Sequence, residues 1–194
     1  MKKKYEDSIL YKVLRPIVKI LFMAIYTPKI IGKNNIPYSG RIIIAGNHTS
    51  VLDCIFLMSC TKRGIHFLAK KELWKGPKKI LFANMGLIPV DRSKHDSNVL
   101  KTAKEYLNNE KVIGIFPEGT TEKGRGLLPF KIGCVKMAYD TDTMILPFVI
   151  NGKYKMFSKD LKIVFEKPIK IKTRDLDKEN EKLRDKINNM LGEI

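Results

Sequence analysis

One of the three histidines in this 194-residue chain stands at the mouth of an apolar strand, within IIIAGNHTSVLDC, Ile42–Cys54. Imidazole is the side chain that takes and gives a proton near neutral pH. Asp53 follows His48 by five positions and falls in the first turns of the helix expected over Val51–Cys60. A carboxylate there can turn back to accept the imidazole N–H, which fixes the tautomer and stabilises the imidazolium formed on proton uptake. The nearby helix N-terminus would otherwise disfavour that cation. The pair therefore reads as a general base, His48, held by Asp53, with no serine nucleophile required. Ser50 reads as the N-cap of the helix from Val51. By itself the spacing is unspecific, because a capped, solvated loop shows the same pattern.

Two further loops carry groups that could serve such a base. FPEGTTEKGRGLLPFK, Phe116–Lys131, places Glu118 and Gly119 where an apolar strand ends. Its glycines permit close backbone approach to a ligand, and Lys123, Arg125 and Lys131 make the surroundings cationic. GLIPVDRS, Gly86–Ser93, brings Arg92 out of a short strand.

Alternating elements must position these loops. Strands are expected over Arg41–Ala45, His66–Ala69, Ile88–Val90, Val112–Phe116, Met144–Ile150, Leu161–Phe165 and Ile169–Ile171. Helices are expected over Val51–Cys60, Lys78–Met85, Asp96–Asn108, Lys131–Tyr139 and Asp177–Leu191. Strands alternating with helices predict a single α/β domain with a mixed, largely parallel sheet flanked by helices. In such sheets ligands sit beyond the carboxyl ends of strands, where the 46–53 and 116–131 loops begin.

The first thirty residues are of another kind. Leu10, Val13, Leu14, Ile17, Val18, Leu21 and Ile25 recur at helical spacing, with Lys12, Arg15 and Lys19 on the other face. Charges interrupt any signal-like run, no small-residue cleavage site follows, and the longest uncharged stretch, Ile20–Pro28, is far short of the roughly 20 residues a span needs. This predicts an amphipathic membrane-associating helical segment over 1–31, preceding a domain over 32–194. The alternative is a helix packed on its own domain.

The formal net charge of +17 calls for an anionic partner: nucleic acid, a membrane surface or an anionic substrate. The cations are dispersed and no aromatic-interleaved basic motif occurs, which argues against a nucleic-acid-binding protein, the rival class. Cys54, Cys60 and Cys134 form no CxxC pair and read as reduced core thiols. Cys54, beside Asp53, is the one alternative nucleophile. His66 and His95 lack a spacing with His48 that would make a metal-ligand set.

NHTSVLD, GLIPVDRS, FPEGT and ILPFVI resemble, in that order, the four motif blocks of the glycerolipid acyltransferase family, and the bacterial 1-acyl-sn-glycerol-3-phosphate acyltransferases are similar. The resemblance runs from Gly32 to Gly152. It implies that His48 and Asp53 are catalytic, and that Arg92 binds the acceptor phosphate. It implies that Glu118 and Gly119 bind the acceptor, joined by Thr120 and by Lys131 of the same loop, and that Pro147 shapes the acyl-donor site. The implied reaction is acyl transfer from acyl-CoA or acyl carrier protein to the sn-2 hydroxyl of lysophosphatidic acid. No cofactor or metal is implied. The implied location is the cytoplasmic face of an anionic cell membrane. Backbone N–H groups near Gly119 are expected at the oxyanion. The family pattern continues FPEGT with arginine, and this chain has Thr121, which leaves Arg92 as the main expected phosphate anchor.

Overall fold

The aliphatic runs of this chain form strands, and the segments of helical period cover them on both sides. The structure, a computed structural model, describes residues 9–71, 87–90, 97–121 and 126–193. Among these, β1 (Lys29–Ile31), β2 (Ile42–Gly46), β3 (Ile65–Lys70), β4 (Ile88–Val90), β5 (Val112–Ile115), β6 (Ile145–Asn151) and β7 (Lys162–Phe165) make one sheet. Its order is β1-β7-β6-β2-β5-β3-β4. Neighbours pair parallel except β6 and β7, which are antiparallel. The helices are α1 (Ile9–Tyr26), α2 (Asp53–Cys60), α3 (Ser97–Asn108), α4 (Gly133–Asp140) and α5 (Leu176–Gly192).

Alternation along β2 explains why its whole run is apolar. Ile42 and Ile44 pack with Phe22 of α1 and Phe56 of α2. Ile43 and Ala45 pack on the other face with Ala103 of α3, Val135 of α4 and Leu183 of α5. A strand covered on both faces has no polar side. The expected α/β architecture, a mixed and largely parallel sheet between helices, is what forms.

Several elements differ from expectation. The segment Ile169–Ile171 is not a strand. It makes a single antiparallel bridge, Ile169 to Ile145, directly after Pro168, whose ring nitrogen has no proton to donate. Helix α4 begins at Gly133 rather than Lys131, because the Lys131 N–H donates to Pro117 O (3.0 Å) and belongs to the loop. Helix α2 begins at Asp53, and Ser50 is not its side-chain cap. The Ser50 hydroxyl instead accepts from the Leu52 N–H (3.2 Å) in a local turn. The helix expected over Lys78–Met85 and the Asp96 cap lie outside the described residues.

The N-terminal helix is turned relative to its charge pattern. Its buried residues are Tyr11 and Phe22, while most of the expected apolar row faces outward: Leu10, Val13, Leu14, Ile17, Val18 and Leu21 are 36–56% exposed. Arg15, expected on the solvent face, points inward to the end of α2. Its guanidinium donates to the carbonyls of Met58 (3.3 Å), Lys62 (2.7 Å) and Thr61. The last carbonyls of a helix have no partner within it, and a cation is favoured there. The strand that follows, β1, pairs in register with β7. The expected boundary between 31 and 32 thus falls at the end of a strand of the sheet.

Candidate functional site

Strands β2 and β5 are parallel neighbours, so the loops that leave their carboxyl ends lie side by side. Asn47 fixes the first exit. Its side-chain amide donates to Ile150 O and accepts from Ile150 N, both at 2.8 Å, continuing the β2–β6 ladder one step with a side chain in place of backbone. His48 follows. Its Nδ1 lies 2.8 Å from Asp53 Oδ2, and its ring stacks on Phe116 at 3.9 Å between centroids and 12° between planes. Nε2 has no hydrogen-bond partner among the described residues, and the ring lines a cavity of about 190 Å³ with Leu68, Val90, Leu100, Ile115 and Met137.

Asp53 is fully buried. Besides His48, its Oδ2 accepts from the N–H groups of Thr49 (2.6 Å) and Ser50 (2.9 Å). Its Oδ1 accepts from the Thr49 hydroxyl (3.1 Å) and from the Tyr154 hydroxyl. Burial alone would raise its pKa. The hydrogen bonds from His48, Tyr154, Ser50 and Thr49 outweigh burial and hold the carboxyl below the usual carboxylate range. A lasting negative charge therefore sits behind Nδ1, which keeps the proton there and leaves Nε2 as the basic atom. This is the arrangement of a general base facing an apolar cavity.

The second loop is built by distant groups. Glu118 Oε1 accepts from the His48 N–H (3.1 Å) and Oε2 from the Leu128 N–H (3.0 Å), so the carboxylate ties the two loops together. From α5, Arg184 donates to Leu127 O (3.0 Å) and Asn180 to Phe130 O (2.8 Å). Gly119 has φ +73°, and a Cβ there would sit 3.0 Å from the Lys131 ammonium that lies over it. Its N–H donates to Phe116 O (3.0 Å) and closes the turn. The turn thus uses the N–H of Gly119 itself.

The structure thus brings His48, Asp53, Glu118, Gly119 and Lys131 together, with half-exposed Thr120 next along the loop. Lys131 lines the cavity with His48 and supplies its cation. Pro147 stands apart. It is buried in β6 opposite Ala45 and does not line the cavity. Arg92 lies outside the described residues, as do Lys123 and Arg125. The thiol of Cys54 is pushed up to about 12, by burial first and by the Asp53 charge second, so it is protonated at neutral pH and offers no ready thiolate.

Three partners escaped the sequence reading. Phe116 lay inside a quoted motif, but nothing in its type signalled a stacking role. Asn47 carried the signal of a polar residue at an apolar strand's end. Tyr154, 101 positions from Asp53, carried no local signal.

The Acyltransferase family model matches residues 27–151. The 1-acyl-sn-glycerol-3-phosphate acyltransferase of Borreliella burgdorferi is 33% identical over 152 residues, covering 76% of this chain and 61% of that protein. The enzyme of the same name from Helicobacter pylori is 36% identical over 124 residues, covering 62% and 52%. The chain thus spans between half and two thirds of the length of these relatives. Among solved structures, the 1-acyl-sn-glycerophosphate (LPA) acyltransferase of Thermotoga maritima superposes with a TM-score of 0.74 at 20% identity, over 95% of this chain and 79% of that one, which shows a shared fold.

Proposed function

The chain belongs to the acyltransferase family, and from that premise we propose that it moves an acyl group from a thioester donor to the sn-2 hydroxyl of 1-acyl-sn-glycerol-3-phosphate. The donor is acyl-CoA or acyl carrier protein, and the product is phosphatidic acid. One observation carries the reading: His48 Nδ1 is held at 2.8 Å by a buried carboxylate while its ring faces an apolar cavity with a lysine in its lining.

A free hydroxyl is a poor nucleophile at neutral pH. His48 Nε2 removes its proton as the oxygen attacks the thioester carbonyl, and Asp53 stabilises the imidazolium that results. The tetrahedral intermediate collapses by breaking the C–S bond. The leaving thiolate then takes the proton from His48, as a free thiol does at this pH with a pKa near ~8.5. Arg92 and Lys131 hold the acceptor phosphate, while the cavity walls of Leu68, Leu100 and Met137 receive an acyl chain. Glu118 acts on the site by holding the two loops in register.

The same reading puts the enzyme on the cytoplasmic face of a membrane. Among the described residues no helix is long and apolar enough to cross one. Yet α1 exposes Ile9 (82%), Ile20 (68%) and Leu21 (56%), and the chain carries a formal charge of +17, which suits an anionic interface. Residues 1–31 contribute this surface and 32–194 the chemistry. Because β1 belongs to the sheet, the test is substitution rather than truncation. Ile20→Ser with Leu21→Ser should lower the partition coefficient onto anionic liposomes, read by flotation, about 30-fold, since each exposed side chain contributes on the order of 1 kcal/mol when it enters lipid. Unchanged flotation would place the anchor elsewhere.

The activity itself is tested in detergent by crossing lysophosphatidic acid, glycerol-3-phosphate and lysophosphatidylcholine with acyl-CoA and acyl carrier protein donors. Turnover with lysophosphatidic acid alone supports the reading. Preference for either other acceptor would reassign the substrate, and turnover with none would overturn the reaction.

A further inference from the structure

Residues 152–159 follow β6 and return over the end of α1. Gly152 makes the turn, with φ +93° and Asp160 O only 2.2 Å from where a Cβ would stand. The Phe157 N–H donates to Ile25 O (2.7 Å), and the Thr27 hydroxyl donates to Ser158 O (3.1 Å). Between the Gly152 turn and these ties lies Tyr154. Its ring meets Tyr26 edge-on at 5.6 Å and Phe22 at 6.2 Å, both on α1. Phe22 in turn packs on Phe56 of α2 at 5.3 Å. The Tyr154 hydroxyl ends on Asp53 Oδ1.

The two Asp53 oxygens are held unequally. Oδ2 has His48 and two backbone N–H groups at 2.6–2.9 Å. Oδ1 has, besides Tyr154 and among the described residues, the Thr49 hydroxyl at 3.1 Å. The Thr49 and Tyr154 hydroxyls both hold Oδ1 and so resist rotation about the Asp53 Cβ–Cγ bond, which would carry Oδ2 away from His48 Nδ1. Tyr154 is the one of the two that reaches in from outside the 47–53 loop. We propose that Tyr154 is a positioning residue for the His48–Asp53 pair, and that it makes the pair answer to helix α1 through its ring contacts with Phe22 and Tyr26. The proposal rests on the reading that His48 is the base for acyl transfer. It adds that the helix with the exposed apolar row is joined to that base by an unbroken chain of contacts.

The role differs from simple packing. A packing role predicts that losing the hydroxyl alone changes little, since Phe fills the same space. A positioning role predicts that the hydroxyl matters to turnover and not to substrate affinity. It also predicts that disturbing Tyr26 acts only through that hydroxyl. The groups that titrate beside Asp53 are His48, Tyr154 and Cys54. Of these, Tyr154 is driven further from ionisation by burial first and by the Asp53 charge next, so it stays a donor at any working pH.

The experiment is steady-state kinetics on the full chain for Tyr154→Phe, Tyr26→Leu, the double variant and His48→Ala, with melting temperatures for each. The expected result for Tyr154→Phe is a loss of about 10-fold in kcat, the low end for one hydrogen bond to a charged group, with both KM values unmoved and the melting temperature lowered by no more than the few degrees that loss of the same bond implies. Tyr26→Leu should lower kcat by a smaller factor, and it should add nothing to Tyr154→Phe in the double variant. Wild-type kcat in Tyr154→Phe beside an inactive His48→Ala would overturn the proposal alone. Losses that multiply in the double variant would overturn the link to α1. An active His48→Ala would overturn the reading on which the proposal rests.

Discussion

The loops after β2 and β5 leave neighbouring parallel strands and meet at one site, yet they are built on opposite plans. The 47–53 loop folds on itself. Asp53 gathers His48, Thr49 and Ser50, all within five positions, and buries its charge completely. The 116–131 loop is held from outside, by Glu118 to His48, and by Arg184 and Asn180 of α5 to carbonyls 50 or more positions away. The first fixes the ring of His48, the proposed proton acceptor. The second carries Lys131 and part of the cavity wall, where a charge near the proposed acceptor phosphate suffices. Proton transfer depends steeply on geometry and phosphate attraction does not, so the self-contained loop suits the chemistry and the propped loop suits the binding.

The largest effect should come from breaking the first plan. His48→Ala should lower kcat by about 100-fold or more, the usual contribution of a general base, with the fold retained. Asp53→Asn should fall in the same range, because an amide can hold the imidazole in the wrong tautomer. Single-turnover rates with circular dichroism check both. A folded His48→Ala protein with near wild-type turnover would remove the base.

Breaking the second plan should act on affinity. A phosphomonoester carries about −1.5 to −2 charges at neutral pH and suits a guanidinium that reaches two oxygens. Arg92→Ala should therefore lower kcat/KM for lysophosphatidic acid about 10- to 150-fold, from roughly 1.5–3 kcal/mol. Arg92→Lys should recover part of it. An unchanged acceptor KM would move the phosphate to Lys131, or to an acceptor without a phosphomonoester. Arg92 lies outside the described residues, and its part here rests on the GLIPVDRS motif.

The contrast between the loops also accounts for what the sequence revealed. The His48–Asp53 pair was legible because both partners and their spacing lie in one heptapeptide. The sheet was legible because β2, β5 and β6 are apolar on both faces, which parallel burial demands. The tie from Glu118 to two backbone N–H groups was not legible, since a carboxylate in a loop gives no sign of which distant amide it will meet. Strand β1 was hidden for a related reason. Three residues with exposed flanks, KII, have no period to read, and only pairing with β7 makes them a strand. The N-terminal helix gave its period but not its rotation. Aromatic Tyr11 and Phe22 won the buried side over the more numerous aliphatics, because each finds an aromatic or polar partner inside: Phe22 meets Phe56, and the Tyr11 hydroxyl lies 3.4 Å from the Ile65 N–H.

A smaller effect should follow from loosening the second loop at a distance. Arg184 does not line the cavity, but it holds Leu127 and Leu128 and so the backbone that leads to Lys131. Arg184→Ala removes two hydrogen bonds of roughly 1 kcal/mol each in isolation. Part of that reaches the site, so acceptor KM should rise about 3- to 10-fold with kcat steady. On the first loop, among the described residues, the remote ties are Asn47 to Ile150, the His48 N–H to Glu118, and Tyr154 to Asp53. A fall in kcat without a change in KM would show that the two loops are not divided in this way.

The smallest effect is the most selective probe of the propped loop. Thr121 stands where the family pattern has arginine, and it is exposed, two positions from the glycine over which Lys131 lies. An exposed substitution of this kind changes stability by no more than about 0.5 kcal/mol, so Thr121→Arg should fold normally. The new guanidinium would be solvated and screened, and contacts of that sort contribute roughly 0–1 kcal/mol, a factor of up to about 5. Acceptor KM should therefore fall by about 2- to 5-fold while kcat stays the same. The gain should be larger in the Arg92→Ala background, where the phosphate has lost its main partner and the second cation no longer competes with a stronger one. Steady-state kinetics with acceptor varied at saturating donor, in both backgrounds, reads this directly. If Thr121→Arg leaves KM untouched in both, the phosphate does not lie along the 119–121 turn. The cation over Gly119 would then serve the donor rather than the acceptor.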